Sequence, residues 1–94
     1  MGLFWFLSKV EEYVVYILAS SKTQKLYKGF TCDLINRLKS HNKLSRKGWT
    51  VHFRPWKVIF VRFFSIKKEA LEFEKYLKSG VGREWIKKNV DVDQ

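Results

Sequence analysis

Two short stretches, Tyr13 to Leu18 and Leu26 to Phe30, constrain this chain more than any others. The first lies in EYVVYILAS, which alternates and is rich in β-branched and aromatic residues, so it reads as a strand. Val14, Tyr16 and Leu18 then share one of its faces. The polar stretch Ser20 to Lys25 turns the chain, and LYKGF returns as the second strand of a hairpin. A lone hairpin is at best marginal in water, so the rest of the chain has to cover it.

That remainder reads as one more strand and three helices. Asp33 is placed to cap a helix running to about Asn42, its carboxylate accepting N–H bonds from the first turn. Lys43 to Arg54 is basic, carries Ser and Gly, shows no clear period and reads as a surface loop. Pro55 precedes a third strand, Trp56 to Phe64. Ser65 is expected to cap a second helix from about Lys67 to Ser79, which Gly80 and Gly82 end, and Arg83 to Asn89 forms a short third helix. The order β-β-α-β-α-α predicts an α+β domain, a three-stranded antiparallel sheet with flanking helices.

Ninety-four residues are enough for one domain with a modest core. The expected division is an N-terminal extension over 1–12, the domain over 13–89 and a tail over 90–94. Within the extension, the apolar run Leu3 to Leu7 is too short for a membrane span and lacks the flanks of a signal peptide. No membrane association is expected. The lone Cys32 excludes an intrachain disulfide and a multi-cysteine zinc site, and a reducing, cytoplasmic setting fits it.

The formal charge is +10, and it is unevenly spread. Residues 33–68 hold ten of the nineteen Lys and Arg but only one of the nine acids, Asp33. Charge segregated in this way attracts a polyanion by releasing its counterions. Interleaving with Trp49, His52, Phe53 and Trp56 favours nucleic acid over a merely solvated surface. Lys28, Lys39, Lys43, Arg46, Lys47 and Arg54 are the expected contacts, with the loop around Arg46 and Lys47 foremost. DNA is expected before RNA; oligomeric state is not legible.

Chemistry is suggested by polar groups on apolar faces. On a helical wheel Ala70, Leu71, Phe73 and Leu77 define the buried arc of the second helix, and Glu74 falls inside it. An ionised carboxylate there is costly unless paired, protonated or bound to a cation. A Glu74–Lys78 pair four residues apart is the plain structural explanation. On the first helix His41 lies on the apolar face and Arg37 at its margin, where helix meets sheet. Tyr27 and Gly29 share a face of the second strand, and the hairpin can set them beside Tyr16. Gly29 would let a helix or a DNA backbone approach closely. Two phenols, an arginine, a histidine and a lone carboxylate suit phosphodiester hydrolysis, which needs a base, a cation and help for the departing oxygen. There is no phosphate-cradling glycine loop and no nucleophile-elbow serine.

In this set the chain resembles the GIY-YIG endonucleases, in particular their small single-domain, UvrC-type members. VVYIL (Val14 to Leu18) stands where the first motif would be and YKG (Tyr27 to Gly29) where the second would be. GFTCDLINRLKSHN resembles the following helix, with Arg37 at the family's arginine and His41 at its helix-borne polar position. RPWKVIF and KKEALEFEKYLKSG resemble the third strand and the metal-binding helix, with Glu74 at the metal-binding glutamate. The resemblance implies a hydrolytic DNA nuclease with one divalent cation at Glu74, Mg²⁺ first and Mn²⁺ as the alternative. It makes Arg37 the group that steadies the scissile phosphate. Tyr16, Tyr27 and His41 would position or deprotonate the attacking water, with Tyr16 as the base. Val14-Val15, Lys28 and Phe30 depart from the family pattern, and Asn89 is a candidate for an asparagine many members carry after the metal helix. Weak sequence preference is expected of so small a domain, which leaves little surface for base readout; structure-specific cleavage is compatible with it, and repair, restriction and mobile-element roles all stay open. The alternatives are a non-catalytic nucleic-acid-binding module on the same fold and a small basic RNA- or ribosome-associated protein.

Overall fold

In the computed structural model, residues 12–44 and 48–91 are described. The Leu3–Leu7 segment, Arg46, Lys47 and the last three residues lie outside them. β1 (Tyr13–Ser20) is the central strand, with β2 (Leu26–Thr31) and β3 (Trp56–Phe64) antiparallel on either side, in the order β2-β1-β3. Three helices follow the predicted order: α1 (Leu34–Lys39), α2 (Lys67–Lys78) and α3 (Gly80–Asn89). A π turn, Ser40–Leu44, extends α1, and a 3₁₀ turn, Trp49–Phe53, precedes β3. Among the described residues, no helix is long and apolar enough to cross a membrane.

Because side chains alternate along β1, this one strand feeds two cores. Val15, Ile17 and Ala19 enter the first, with Ile59, Ala70, Leu77, Ile86 and Val90 beneath α2 and α3. Val14, Tyr16 and Leu18 enter the second with Trp56, where α1 supplies Leu34 and Leu38 and the 3₁₀ turn supplies Phe53. β1 is therefore covered on both faces, each fully buried large side chain contributing roughly 1.5–3 kcal/mol. Ile59 is an extra residue in β3, a bulge opposite the Ile17–Leu18 step and next to Tyr16. Bulges re-aim neighbouring side chains, and they recur beside active sites.

Four local expectations need correction. Ser65 does not cap α2; the capping position belongs to Ile66, which offers no side-chain acceptor, so the first turn is held by the Ala70 N–H to the Ile66 carbonyl at 3.2 Å. Gly80 and Gly82 do not end α2 as left-handed caps. They form the first turn of α3, capped by the Ser79 hydroxyl, which accepts from the Gly82 N–H at 3.1 Å. A Cβ on Gly82 would overlap the Tyr76 carbonyl oxygen and lie 2.7 Å from the Leu77 Cα, so this glycine permits close helix contact. The stretch read as a surface loop ends in an ordered 3₁₀ turn whose Thr50 is buried and whose Phe53 joins the second core. Leu71, placed on the buried arc of α2, is 41% exposed.

Candidate active site

The site begins with the register of the hairpin. Tyr16 on β1 pairs with Gly29 on β2, and Leu18 pairs with Tyr27, so the two tyrosines are diagonal neighbours on one face. Their ring centroids are 6.1 Å apart. A Cβ on Gly29 would overlap the Tyr16 hydroxyl and come within 2.9 Å of the Tyr27 ring. The missing side chain at Gly29 is the space into which the Tyr16 phenol extends. Tyr16 itself is almost completely covered, at 1% exposure, whereas Tyr27 is half-buried.

The opposite wall comes from the π turn after α1. Asp33 starts that helix as expected, Oδ1 accepting from the Asn36 N–H at 3.2 Å. The wider π turn then brings His41 into the interior, where it is buried. Its Nε2 is hydrogen-bonded to the Tyr16 hydroxyl at 3.0 Å and its Nδ1 to the Thr50 hydroxyl at 3.1 Å. The Tyr27 ring lies 4.6 Å from the imidazole, centroid to centroid. Arg54 holds the turn from outside, donating Nε to the His41 carbonyl and an Nη to the Ser40 carbonyl. Asn42 holds it from below: its amide donates to the Trp56 carbonyl at 3.0 Å and accepts from the Trp56 N–H at 2.6 Å. The indole N–H of Trp56 in turn donates to the Thr50 carbonyl at 2.7 Å.

Burial sets the electrostatics. The Tyr16 hydroxyl is pushed well above its ordinary value of 10.0, first by burial, then by Tyr27, with Glu74 adding to the rise and Arg37 opposing it. His41 is held below its ordinary 6.5, first by burial and then by the cations of Arg37 and Arg54. At neutral pH both groups are therefore uncharged. In the Nδ1–H tautomer His41 donates to Thr50 and its Nε2 accepts from the Tyr16 O–H, a continuous donor chain.

Arg37 and Glu74 complete the cluster from different elements. The Arg37 side chain is exposed, not set where helix meets sheet, because the short α1 turns that face outward; Ile35 is 63% exposed beside it. Its charge still bears on both Tyr16 and His41. Glu74 belongs to α2, on the other side of the sheet, yet its charge also reaches Tyr16. Its side chain is 20% exposed, and Oε2 accepts from Lys78 Nζ at 3.1 Å, so the ion pair foreseen as the plain explanation is present. Among the described residues, no three His, Cys, Asp or Glu converge as a metal cluster. Glu74 as a single carboxylate nonetheless fits a hard cation that keeps several of its own waters.

The structure brings Tyr16, Tyr27, Gly29 and His41 into one contact set, with Arg37 and Glu74 within electrostatic reach. Lys39 and Lys43 are exposed on and just after α1. Lys28 faces away from the tyrosines, toward α3, by strand alternation. Asn89 is exposed at the end of α3, its amide donating to the Trp85 carbonyl at 2.9 Å. Thr50 and Asn42 were missed by sequence reasoning, since nothing in a single sequence marks a threonine that orients a histidine nine residues away.

The sequence profile described as the GIY-YIG catalytic domain matches residues 12–89. UPF0213 protein YazA of Bacillus subtilis is 36% identical over 63 residues, 67% of this chain and 64% of that protein. The match thus spans a little under two thirds of that relative's length. Structure-specific endonuclease subunit SLX1 of Malassezia globosa is 42% identical over 66 residues, 66% of this chain but 15% of that protein. The solution NMR structure of UPF0213 protein BH0048 from Bacillus halodurans superposes with a TM-score of 0.51 at 26% identity, covering 82% of this chain and 83% of that one.

Proposed function

Because the chain belongs to the GIY-YIG family, we propose that it is an endonuclease that hydrolyses DNA phosphodiester bonds with one divalent cation held at Glu74. The observation that carries this reading is the hydrogen-bonded chain from Tyr16 through His41 to Thr50, flanked by Tyr27 and Arg37. A purely structural pair of tyrosines needs no oriented imidazole beside it. Kinship with a protein named as a structure-specific endonuclease subunit supports recognition of DNA shape over sequence.

In this reading Arg37, exposed and charged, holds the non-bridging oxygens of the scissile phosphate and offsets the charge that grows on them. Tyr27, the phenol nearer to solvent, orients the attacking water. The proton leaves that water through the tyrosine hydroxyls, and His41 Nε2 receives it. Tyr16 is thereby a conduit and not the terminal base, since burial makes its anion harder to form. Thr50 keeps Nε2 free to accept. A bound Mg²⁺, or Mn²⁺, would stabilise the departing oxygen as a Lewis acid.

The Glu74–Lys78 pair favours a second reading, a non-catalytic DNA-binding module, because the carboxylate already has a partner. Incubation of wild type and Glu74→Ala with supercoiled, nicked and branched DNA separates the two. Cutting by wild type with Mg²⁺ or Mn²⁺, absent with EDTA and in the variant, supports the nuclease. Intact DNA under all conditions, bound by folded wild type, selects the module.

A further inference from the structure

On the face of the sheet opposite the tyrosines, the hairpin and α3 enclose a cleft of about 660 Å³. Five cations line it, Lys25, Lys28, Lys57, Arg83 and Lys87, and among the described residues none that lines it is acidic. Ser21 and Thr23 add hydroxyls at the hairpin end, and Ile86 and Val90 form part of an aliphatic floor. Lys87 also bonds Glu84 on the rim at 3.4 Å, an exposed pair that is easily exchanged.

We propose that this cleft is a second phosphate-binding site, which holds the backbone of the DNA strand flanking the bond to be cut. This rests on the nuclease reading for the identity of the strand, but not for the existence of the site. Three observations argue for nucleic-acid backbone as the occupant. First, like charge is crowded around Lys28: this half-buried side chain is held below its ordinary value by burial and by the cations of Arg83 and Lys78. An arriving phosphate relieves that repulsion, and counterion release adds to the affinity. Second, among the described residues the cleft is lined by hydroxyl and cationic donors and by no aromatic ring. It is equipped to hold phosphates and has no platform for stacking bases, so it recognises backbone without reading sequence. Third, the site and the cleft adjoin through β2. Lys28 stands between Tyr27 and Gly29 in sequence, its side chain on the other face of this edge strand. Lys78 links them on the helical side, since it pairs with Glu74 and its charge also acts on Lys28. A strand leaving the phosphate at Arg37 and Glu74 thus passes Lys78 to reach Lys28 and Arg83.

The test measures DNA binding in EDTA, so that a failure of catalysis does not affect the result. Fluorescence anisotropy of a labelled branched DNA is followed from low to moderate salt for wild type, Lys28→Gln/Arg83→Gln and a control, Lys75→Gln/Lys88→Gln, which removes the same charge outside the cleft. Arg83→Gln alone, at an exposed helical position, covers the case in which the double variant does not fold. The expected result is a salt slope reduced by about one for each cleft cation removed and a Kd raised several-fold, with the control near wild type. Equal loss in control and cleft variants would reduce the effect to net charge and overturn the site, as would unchanged binding in both. Competition by polyglutamate as strong as by unlabelled DNA of equal charge overturns the assignment to nucleic acid. Saturable binding of a nucleoside monophosphate at Lys28 and Arg83 in NMR titration, with DNA leaving their resonances unmoved, overturns the assignment to backbone.

Discussion

Tyr16 and His41, 25 residues apart in the chain, meet through a buried hydrogen bond of 3.0 Å between the phenol and Nε2. Two independent pieces of local structure make that contact: the hairpin register that sets Tyr16 over Gly29, and the π turn that carries His41 inward. In Tyr16→Phe the donor chain is cut while the ring still fills its place. The expected loss is ~10²-fold or more in kcat, in the range of positioned proton transfer, with melting lowered by an amount corresponding to about 1–3 kcal/mol for the unsatisfied imidazole. Steady-state cleavage kinetics and a thermal melt check both. A variant that cuts at the wild-type rate would remove Tyr16 from the chemistry.

The protonation of His41 predicts how both activity and stability vary with pH. Its folded value lies below the ordinary 6.5, so as pH falls the unfolded chain takes up this proton first. The stability gained from keeping it neutral is present above about 6.5 and is lost as pH drops through the folded value. Tyr16 acts with the opposite sign: its raised value gives stability that is whole below about 10 and lost as pH rises through the folded value. Urea titrations of wild type and His41→Gln across pH 5–8 isolate the histidine. The difference between them should shrink toward acid, alongside an acid limb in kcat/KM below 6.5 and no fall on the alkaline side near 8.

Much of this was legible in the sequence because it depends on neighbours in the chain. Alternation placed β1 and its two faces, Asp33 marked the start of α1, and the order of elements followed from pattern alone. What was not legible depends on contacts between distant residues. Ser65 looks like a helix cap, but a cap is defined by where the first turn begins, and that is set by packing of Ala70 onto the sheet. Gly80 and Gly82 suggest a helix end, but tight approach of α3 to the Tyr76 carbonyl recruits them into a helix start. Thr50 acquires its role only because the 3₁₀ turn folds back over His41. Arg37 reaches the site through its charge and not through burial, which a helical wheel does not convey.

Gly29 offers a steric test of the same geometry. A methyl group there overlaps the Tyr16 hydroxyl and presses on the Tyr27 ring, so the phenols must move together. Gly29→Ala should destabilise by about 1–3 kcal/mol, as overpacked cores do. Activity should fall further than that loss explains, because Tyr16 is pushed from His41. Crystal or NMR structures of the variant would show the displaced phenol; an undisturbed 3.0 Å contact would mean the glycine is not what positions it.

Thr50→Val is nearly isosteric but removes the hydroxyl bonded to His41 Nδ1. The buried imidazole loses its orienting partner, at a cost of about 1–3 kcal/mol, and can turn Nε2–H toward Tyr16. ¹⁵N chemical shifts of the imidazole distinguish the tautomers directly. Retention of the Nδ1–H form in Thr50→Val would show that Thr50 does not select it, whatever the effect on cleavage.

Lys78 decides how readily Glu74 takes a cation. In the structure its ammonium occupies Oε2 at 3.1 Å, so a divalent ion must compete with it or share the carboxylate. Lys78→Met keeps the aliphatic stem along α2 and removes the charge. Calorimetric titration with Mn²⁺ should then show tighter binding than wild type, by several-fold, in contrast to Glu74→Gln, which should bind none at this site. DNA affinity should move the other way, because the same substitution removes a cation from the path between Glu74 and Lys28. Metal affinity unchanged by Lys78→Met and by Glu74→Gln alike would place the cation elsewhere and leave the Glu74–Lys78 pair a feature of helix surface alone.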